Sequence, residues 1–201
     1  MSSHPPSILY IHGFNSSSLS QKARQLQQAM EALGMPERLR IPDLHHHPRR
    51  AIEQLEACIA ALGRPLLVGS SLGGYYATHL AERHGLKALL INPAVTPHRR
   101  FAQYLGAQTN FYSGETWQLT EEHVAALAEL ETAPPRDAGR YQVWLQTGDE
   151  TLDYRDAARF YRDCAQRIQA GGDHGFQGFA ERLPALLAFA GFDPSSWLGR
   201  L

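Results

Sequence analysis

Cysteine is scarce in this chain, with two residues, Cys58 and Cys164, among 201. That scarcity excludes the disulfide framework that holds small secreted folds together. An excess of one charge is lacking as well. Nineteen Lys and Arg face twenty Asp and Glu, and the formal net charge is −1. Arginines come in pairs, Arg49-Arg50 and Arg99-Arg100, and not in blocks. There is therefore no basic footprint for a nucleic acid or an acidic membrane surface. No apolar run is long enough to span a bilayer. The polar stretch from Met1 to Ser7 has neither the basic start nor the apolar core of a signal peptide. A cytoplasmic, reducing setting is expected. With no repeat, low-complexity tract or linker, residues 1–201 are expected to form a single domain. The length suffices for a core, since a chain of ~150 residues already hides about 70% of its unfolded surface.

What is present is an alternation of short apolar runs and amphipathic stretches. Ile8 to Ile11 is continuous and apolar, as a strand buried on both faces must be. A helix follows, with Ser18 and Gln21 at capping-box spacing and Leu19, Ala23, Leu26, Met30 and Leu33 on one stripe. Gly34 stands where it should end. Arg38 to Ile41 is a second short strand, and Arg50 to Leu62 a helix closed by Gly63. Pro65 to Val68 is a third strand, Leu72 to His84 a helix and Ala88 to Ile91 a fourth strand. Tyr141 to Thr147 is a fifth, followed by a helix over Asp153 to Arg162. Arg167 to Gln169 reads as a short sixth, and Leu183 to Ala190 as the last helix, with Pro184 in its first turn. Both cysteines fall in stretches read as helical, Cys58 on a packed stripe with Leu55, Ile59 and Leu62. Strands alternating with helices imply an α/β fold, a mostly parallel sheet with helices on both faces. Residues 95–139 break the rhythm. They hold one helix, Glu121 to Leu130 capped by Thr120, and no clear strand. They read as an insertion over the C-terminal edge of the sheet, where such folds bind ligands.

Three motifs carry chemistry. Gly69-Ser70-Ser71-Leu72-Gly73 has the G-x-S-x-G spacing, with Leu66-Leu67-Val68 before it and a helix after. Small residues two before and two after let the backbone turn sharply enough to raise Ser71 above the sheet as a nucleophile. The new helix lends its N-terminal dipole to developing negative charge. At the end of the first strand, His12-Gly13-Phe14 shapes a loop whose Phe14 N–H, together with that of Leu72, can hold an oxyanion. His12 itself reads as structural, and Asn15 either steadies the loop or meets substrate. Near the C-terminus, Gly172-Asp173-His174-Gly175 places a histidine on a flexible turn, suited to a base that reaches back to the serine. The orienting acid must lie between them in the chain. Asp149, directly after the fifth strand, fits; Asp153 is the runner-up and fits equally as a helix N-cap. Glu150 is expected to face solvent.

Other features weigh less. His45-His46-His47 lacks a metal-ligand spacing, so no metal is expected, although the run falls near a pocket rim. His79 and His84 read as helix-surface residues, and Trp144 and Trp197 as packing residues.

Five blocks together resemble the YqiA-type esterases of bacteria, within the α/β-hydrolase superfamily. They are Ile8 to Ser16, Val68 to Ala77, Ile91 to Val95, Leu145 to Glu150 and Gly171 to His174. The resemblance implies a minimal α/β-hydrolase fold, esterase activity on acyl esters including acyl-CoA thioesters, and the same Ser71, Asp149 and His174. Thr151 departs from it, standing where related chains often carry an aliphatic residue. The expectation is a serine hydrolase acting on a small-molecule ester or thioester without a cofactor. The alternative is a non-catalytic small-molecule binding protein on the same fold. A serine at 71 disfavours dehalogenase chemistry, and the short insertion disfavours a peptidase. Oligomeric state and acyl length are not legible.

Overall fold

The structure, a computed structural model, describes residues 5–200. Residues 1–4, part of the stretch read for a signal peptide, and residue 201 lie outside the described residues. Eight strands are seen: β1 (Ile8–Ile11), β2 (Leu39–Arg40), β3 (Leu66–Ser70), β4 (Ala88–Ile91), β5 (Gly106–Thr109), β6 (Thr116–Leu119), β7 (Tyr141–Gln146) and β8 (Ala165–Gln169). Six form one sheet in the order β2-β1-β3-β4-β7-β8, and every pairing in it is parallel. The helices are α1 (Gln21–Ala32), α2 (Pro48–Leu62), α3 (Leu72–His84), α4 (Pro97–Phe101), α5 (Glu121–Ala128), α6 (Tyr154–Phe160) and α7 (Leu183–Ala190).

The period-2 alternation of side chains divides the core in two. Leu9 and Ile11 point to one face, with Ile52, Leu55, Tyr76 and Leu80 from α2 and α3. Ile8 and Tyr10 point to the other, with Leu26 and Met30 from α1 and Leu186 and Leu187 from α7. Each such fully buried aliphatic side chain contributes about 1.5–3 kcal/mol of transfer free energy. Covering both faces is what makes the strands continuous apolar runs.

The central strands end level with one another. Ile11 lies opposite Gly69, Ser70 opposite Ile91, and Ile91 opposite Trp144. The residues that follow, His12, Ser71 and Asn92, therefore leave the sheet along one edge. From β1 the chain goes outward to β2 and then returns to β3 on the other side. Ligands bind at this kind of topological switch point in open parallel sheets.

Several expectations need correction. Ser18 and Gln21 do not form a capping box: α1 starts at Gln21 after Ser20, which makes no side-chain cap bond. The Ser18 amide is instead taken by Asp43 Oδ1 at 2.6 Å. Leu19, read into the apolar stripe, is half exposed because it precedes the helix. Cys164 is not helical. α6 ends at Phe160, leaving Cys164 buried in the turn before β8, and both cysteines are free. The insertion does contain strands. β5 and β6 form an antiparallel hairpin apart from the main sheet. Among the described residues no helix is long and apolar enough to cross a membrane.

Candidate active site

The turn after β3 is held by close packing of backbone. A Cβ on Gly69 would overlap the Gly73 carbonyl, and one on Gly73 would overlap the Ile11 carbonyl. Only glycine lets β3, α3 and β1 approach so closely. Ser71 sits at the apex with φ 55° and ψ −121°, a conformation an L residue adopts only when its surroundings impose it. Its N–H donates to Ile91 O at 3.0 Å, and its carbonyl accepts from Gly74 and Ala94.

His174 meets it from 103 residues further along the chain. The distance from His174 Nε2 to Ser71 Oγ is 3.0 Å. On the other side of the ring, Nδ1 lies 2.9 Å from both carboxylate oxygens of Asp149. The Asp149 side chain is 1% exposed, against 23% for His174, so the acid is the inner member of the row. Asp149 Oδ1 also accepts from the Thr151 and Leu152 amides at 2.9 and 2.8 Å. The backbone of the departing residue Thr151 thus completes the acid's cage. Asp153 lies elsewhere: it caps α6 and pairs with Arg155, which holds its carboxyl down at about 2.

Phe14 and Leu72 flank the serine. Gly13 lies so close that a Cβ there would stand 3.7 Å from Ser71 Oγ. Leu72 is the first residue of α3. Among the described residues, neither the Phe14 nor the Leu72 amide donates to another protein group. His12 is a staple. Its Nε2 accepts from the Leu44 amide at 3.1 Å while Nδ1 faces Gly13 O at 2.9 Å. That pattern requires the neutral ring, and burial lowers its pKa in the same sense. Asn15, left open by the sequence, links the loop to the hairpin. It accepts from Trp117 Nε1 at 2.9 Å and donates to Gln108 at 3.2 Å.

Several residues that sequence reasoning missed hold the His174 loop. Gln146, fully buried, accepts from the Asp173 and Gln177 amides and donates to Gln177 O. Asn92 donates to Asp173 O at 3.0 Å and accepts from the Gln146 amide. Lys22 donates to Gly175 O at 2.7 Å. Glu150 is exposed, as expected, yet its Oε2 accepts from the His174 amide at 3.0 Å. Asn92, Gln146 and Glu150 fall in the blocks Ile91 to Val95 and Leu145 to Glu150, which signalled their neighbourhood without specifying a role.

A cavity of about 530 Å³ opens beside Ser71 and His174. Its walls are mostly apolar, with Phe14, Leu72, Phe101, Tyr104, Phe111 and Leu152 prominent. The size is ordinary for a small-molecule site. The insertion supplies much of the wall, through α4 and the hairpin. On the far side of Phe14 and Leu72 lies a smaller, more polar cavity of about 110 Å³, lined in part by His45, His46 and Trp117. His46 stacks on Trp117, with ring centroids 4.7 Å apart. No group of three or more His, Cys, Asp or Glu among the described residues is arranged to share a metal ion. His79 and His84 are half-buried, His79 facing Leu130 O at 3.2 Å and His84 Nε2 lying 2.6 Å from a Glu56 carboxylate oxygen, whereas Trp144 and Trp197 are packed in the core.

Residues 7–191 match the family described as "Uncharacterised protein family (UPF0227)". The chain belongs to UPF0227. A UPF0227 protein of Shewanella sp. (strain ANA-3) is 34% identical over 191 residues, covering 90% of this chain and 98% of the relative. One of Shewanella woodyi is 28% identical over the same length. Solved structures similar to this UPF0227 chain share its α/β-hydrolase fold. A putative hydrolase from Agrobacterium vitis S4 aligns with a TM-score of 0.69 at 17% identity, over 92% of this chain and 88% of its own. The esterase domain of a Rhodothermus marinus protein aligns at 0.65 and 17%, over 94% and 88%. Est1E from Butyrivibrio proteoclasticus, in a form with ferulic acid bound, aligns at 0.63 and 14%, over 89% and 85%.

Proposed function

We propose that this UPF0227 protein is a serine hydrolase that cleaves small carboxylic esters or acyl thioesters through an acyl-enzyme. One observation carries the proposal: an unbroken row of hydrogen-bonding atoms from Ser71 Oγ through the His174 ring to Asp149. In the first step His174 Nε2 takes the Ser71 proton as Oγ attacks the substrate carbonyl carbon. The carbonyl π pair moves onto oxygen, and the amides of Phe14 and Leu72 hold that oxyanion. Asp149 keeps the Nδ1 tautomer and stabilises the imidazolium without taking its proton. The tetrahedral intermediate collapses, and the leaving alkoxide or thiolate takes the proton from Nε2. Water repeats the sequence on the acyl-enzyme and releases the acid. The chemistry draws on no metal or organic cofactor. The apolar cavity suits an acyl group, and the family resemblance and the esterase names among the structural neighbours point the same way.

The test is labelling and turnover. A fluorophosphonate probe is expected to modify wild-type protein at Ser71 alone. Ser71→Ala is expected to lose labelling and nearly all p-nitrophenyl ester hydrolysis, since triad losses reach ~10⁶ in kcat. Wild-type turnover in that variant would refute the assignment, and absent labelling of the wild type would favour a binding protein. Esters run beside acyl-CoA thioesters decide between the two substrate classes.

A further inference from the structure

One cation outside the Ser71–His174–Asp149 row reaches the loop that carries His174. Lys22 is half-buried in the first turn of α1, and its Nζ donates to Gly175 O at 2.7 Å, across 153 residues of chain. The position is unfavourable for a cation on local grounds. The positive end of the helix dipole lies there, and α1 has no acidic residue in its first turn to offset the charge. The choice of residue is unusual too, because the chain has two lysines against seventeen arginines.

What faces Lys22 accounts for it. The carboxylates of Asp173 and Asp149 both attract the ammonium, while burial outweighs them and pushes its pKa down to about 8. The other ties on the loop come from uncharged Asn92, Gln146, Thr147 and the Gly148 amide and from the anionic Glu150. Among the described residues, Lys22 alone of the loop's polar ties brings positive charge. The loop turns tightly, with Gly171, Gly172 and Phe176 all at positive φ. The Gly175 carbonyl is one residue from His174, so fixing it fixes the approach of the imidazole to Ser71. A charge-assisted bond is about twice as strong as a neutral one.

We propose that Lys22 is a positioning residue whose ammonium, bonded to Gly175 O and facing Asp173 and Asp149, holds the His174 loop in register with Ser71. The proposal rests on the hydrolase function above. Above pH about 8 the amine keeps a donor but loses its charge, and the two carboxylates are left without their counter-ion. The support is therefore present below that pH and declines above it.

Wild type, Lys22→Met and Lys22→Arg are compared for fluorophosphonate labelling rate and p-nitrophenyl acetate kinetics, from about pH 6 to about pH 9.5. Wild type is expected to slow as pH rises through about 8. Lys22→Met should lose roughly 10- to 100-fold in kcat, the scale of a small misplacement, with KM little changed and no step near pH 8. Lys22→Arg should restore the neutral-pH rate and stay flat to high pH, because guanidinium remains charged. A Lys22→Met protein with the wild-type rate or alkaline step overturns the proposal. So does a Lys22→Arg protein as slow as Lys22→Met. If circular dichroism shows Lys22→Met unfolded, a matching alkaline step in wild type and Lys22→Arg overturns it, and its loss in Lys22→Arg supports it. Wild-type protein that fails to label removes the hydrolase function and this proposal together, a result distinct from each of the others.

Discussion

Gln146 shows how much of a site can rest on a residue with no chemistry of its own. Its carboxamide fills the space above Gly172, where a Cβ would collide with it, and satisfies three backbone groups of the His174 loop. Gln146→Leu keeps much of the volume and removes all three bonds. Leaving a buried backbone group without a partner costs about 1–3 kcal/mol, and less where water can reach it, as at exposed Gln177, so a loss of roughly 2–5 kcal/mol in urea unfolding is expected for the three together. A loss below about 1 kcal/mol would mean the loop finds other partners. The same scale shows what the sequence can reveal. Ser71, His174 and Asp149 were legible as a candidate group, which the structure brings together, because the chemistry proposed for them demands a residue type in a local setting: a glycine-flanked turn, a glycine-rich loop, a strand end. Gln146, Asn92 and Lys22 were not, because each serves a backbone group far along the chain. Nothing near them in sequence records that partner.

At the scale of elements, the parallel sheet and its helices were readable because burial on both faces writes continuous apolar runs and helical stripes. The β5–β6 hairpin was not. Its strands are four residues each, and only Trp117 and Leu119 are large apolar side chains, too few to write a readable period. It is held instead by aromatic contacts to the rest of the fold, which include His46 on Trp117 and Phe14 edge-on to Trp117 at 5.7 Å. His47 and His123 extend the cluster, with ring centroids 4.7 Å apart. Burial first, and neighbouring histidines with it, lowers the pKa of His45 and His123; burial and His47 do the same for His46, where Glu115 opposes them. The sign follows. A histidine whose pKa is lower folded than unfolded costs no stability while neutral in both states, and destabilises as pH falls through the unfolded value of about 6.5. The melting temperature is expected to drop between about pH 7 and about pH 5. His46→Phe keeps the stacking ring and removes one titration, so its drop should be smaller. An identical pH slope in scanning fluorimetry would exclude His46 from the effect.

At the scale of the whole molecule, both halves of the core lean on the same central strands, β1, β3, β4 and β7, so neither half has a sheet of its own. One cooperative transition is the expected result. Three tryptophans make the test direct: Trp117 in the hairpin, Trp144 in β7 and Trp197 near the C-terminus. Single-tryptophan variants should report the same urea midpoint as far-UV circular dichroism. An earlier midpoint for Trp117 alone would make the insertion a separate folding unit. The α/β architecture was readable at this scale, while the partition of the helices between faces had to be seen. It depends on which strand residues face up, and a continuous apolar run conceals that.

The backbone at position 71 carries a last implication. A side chain there is forced into a twist that glycine would accept without complaint, so thermodynamics and reactivity ask for different residues at the same spot. Were the hydroxyl to lose its use, mutation would have a downhill path away from serine, and the fold would be no worse for it. The strain held at Ser71 is what the proposed nucleophilic role would account for.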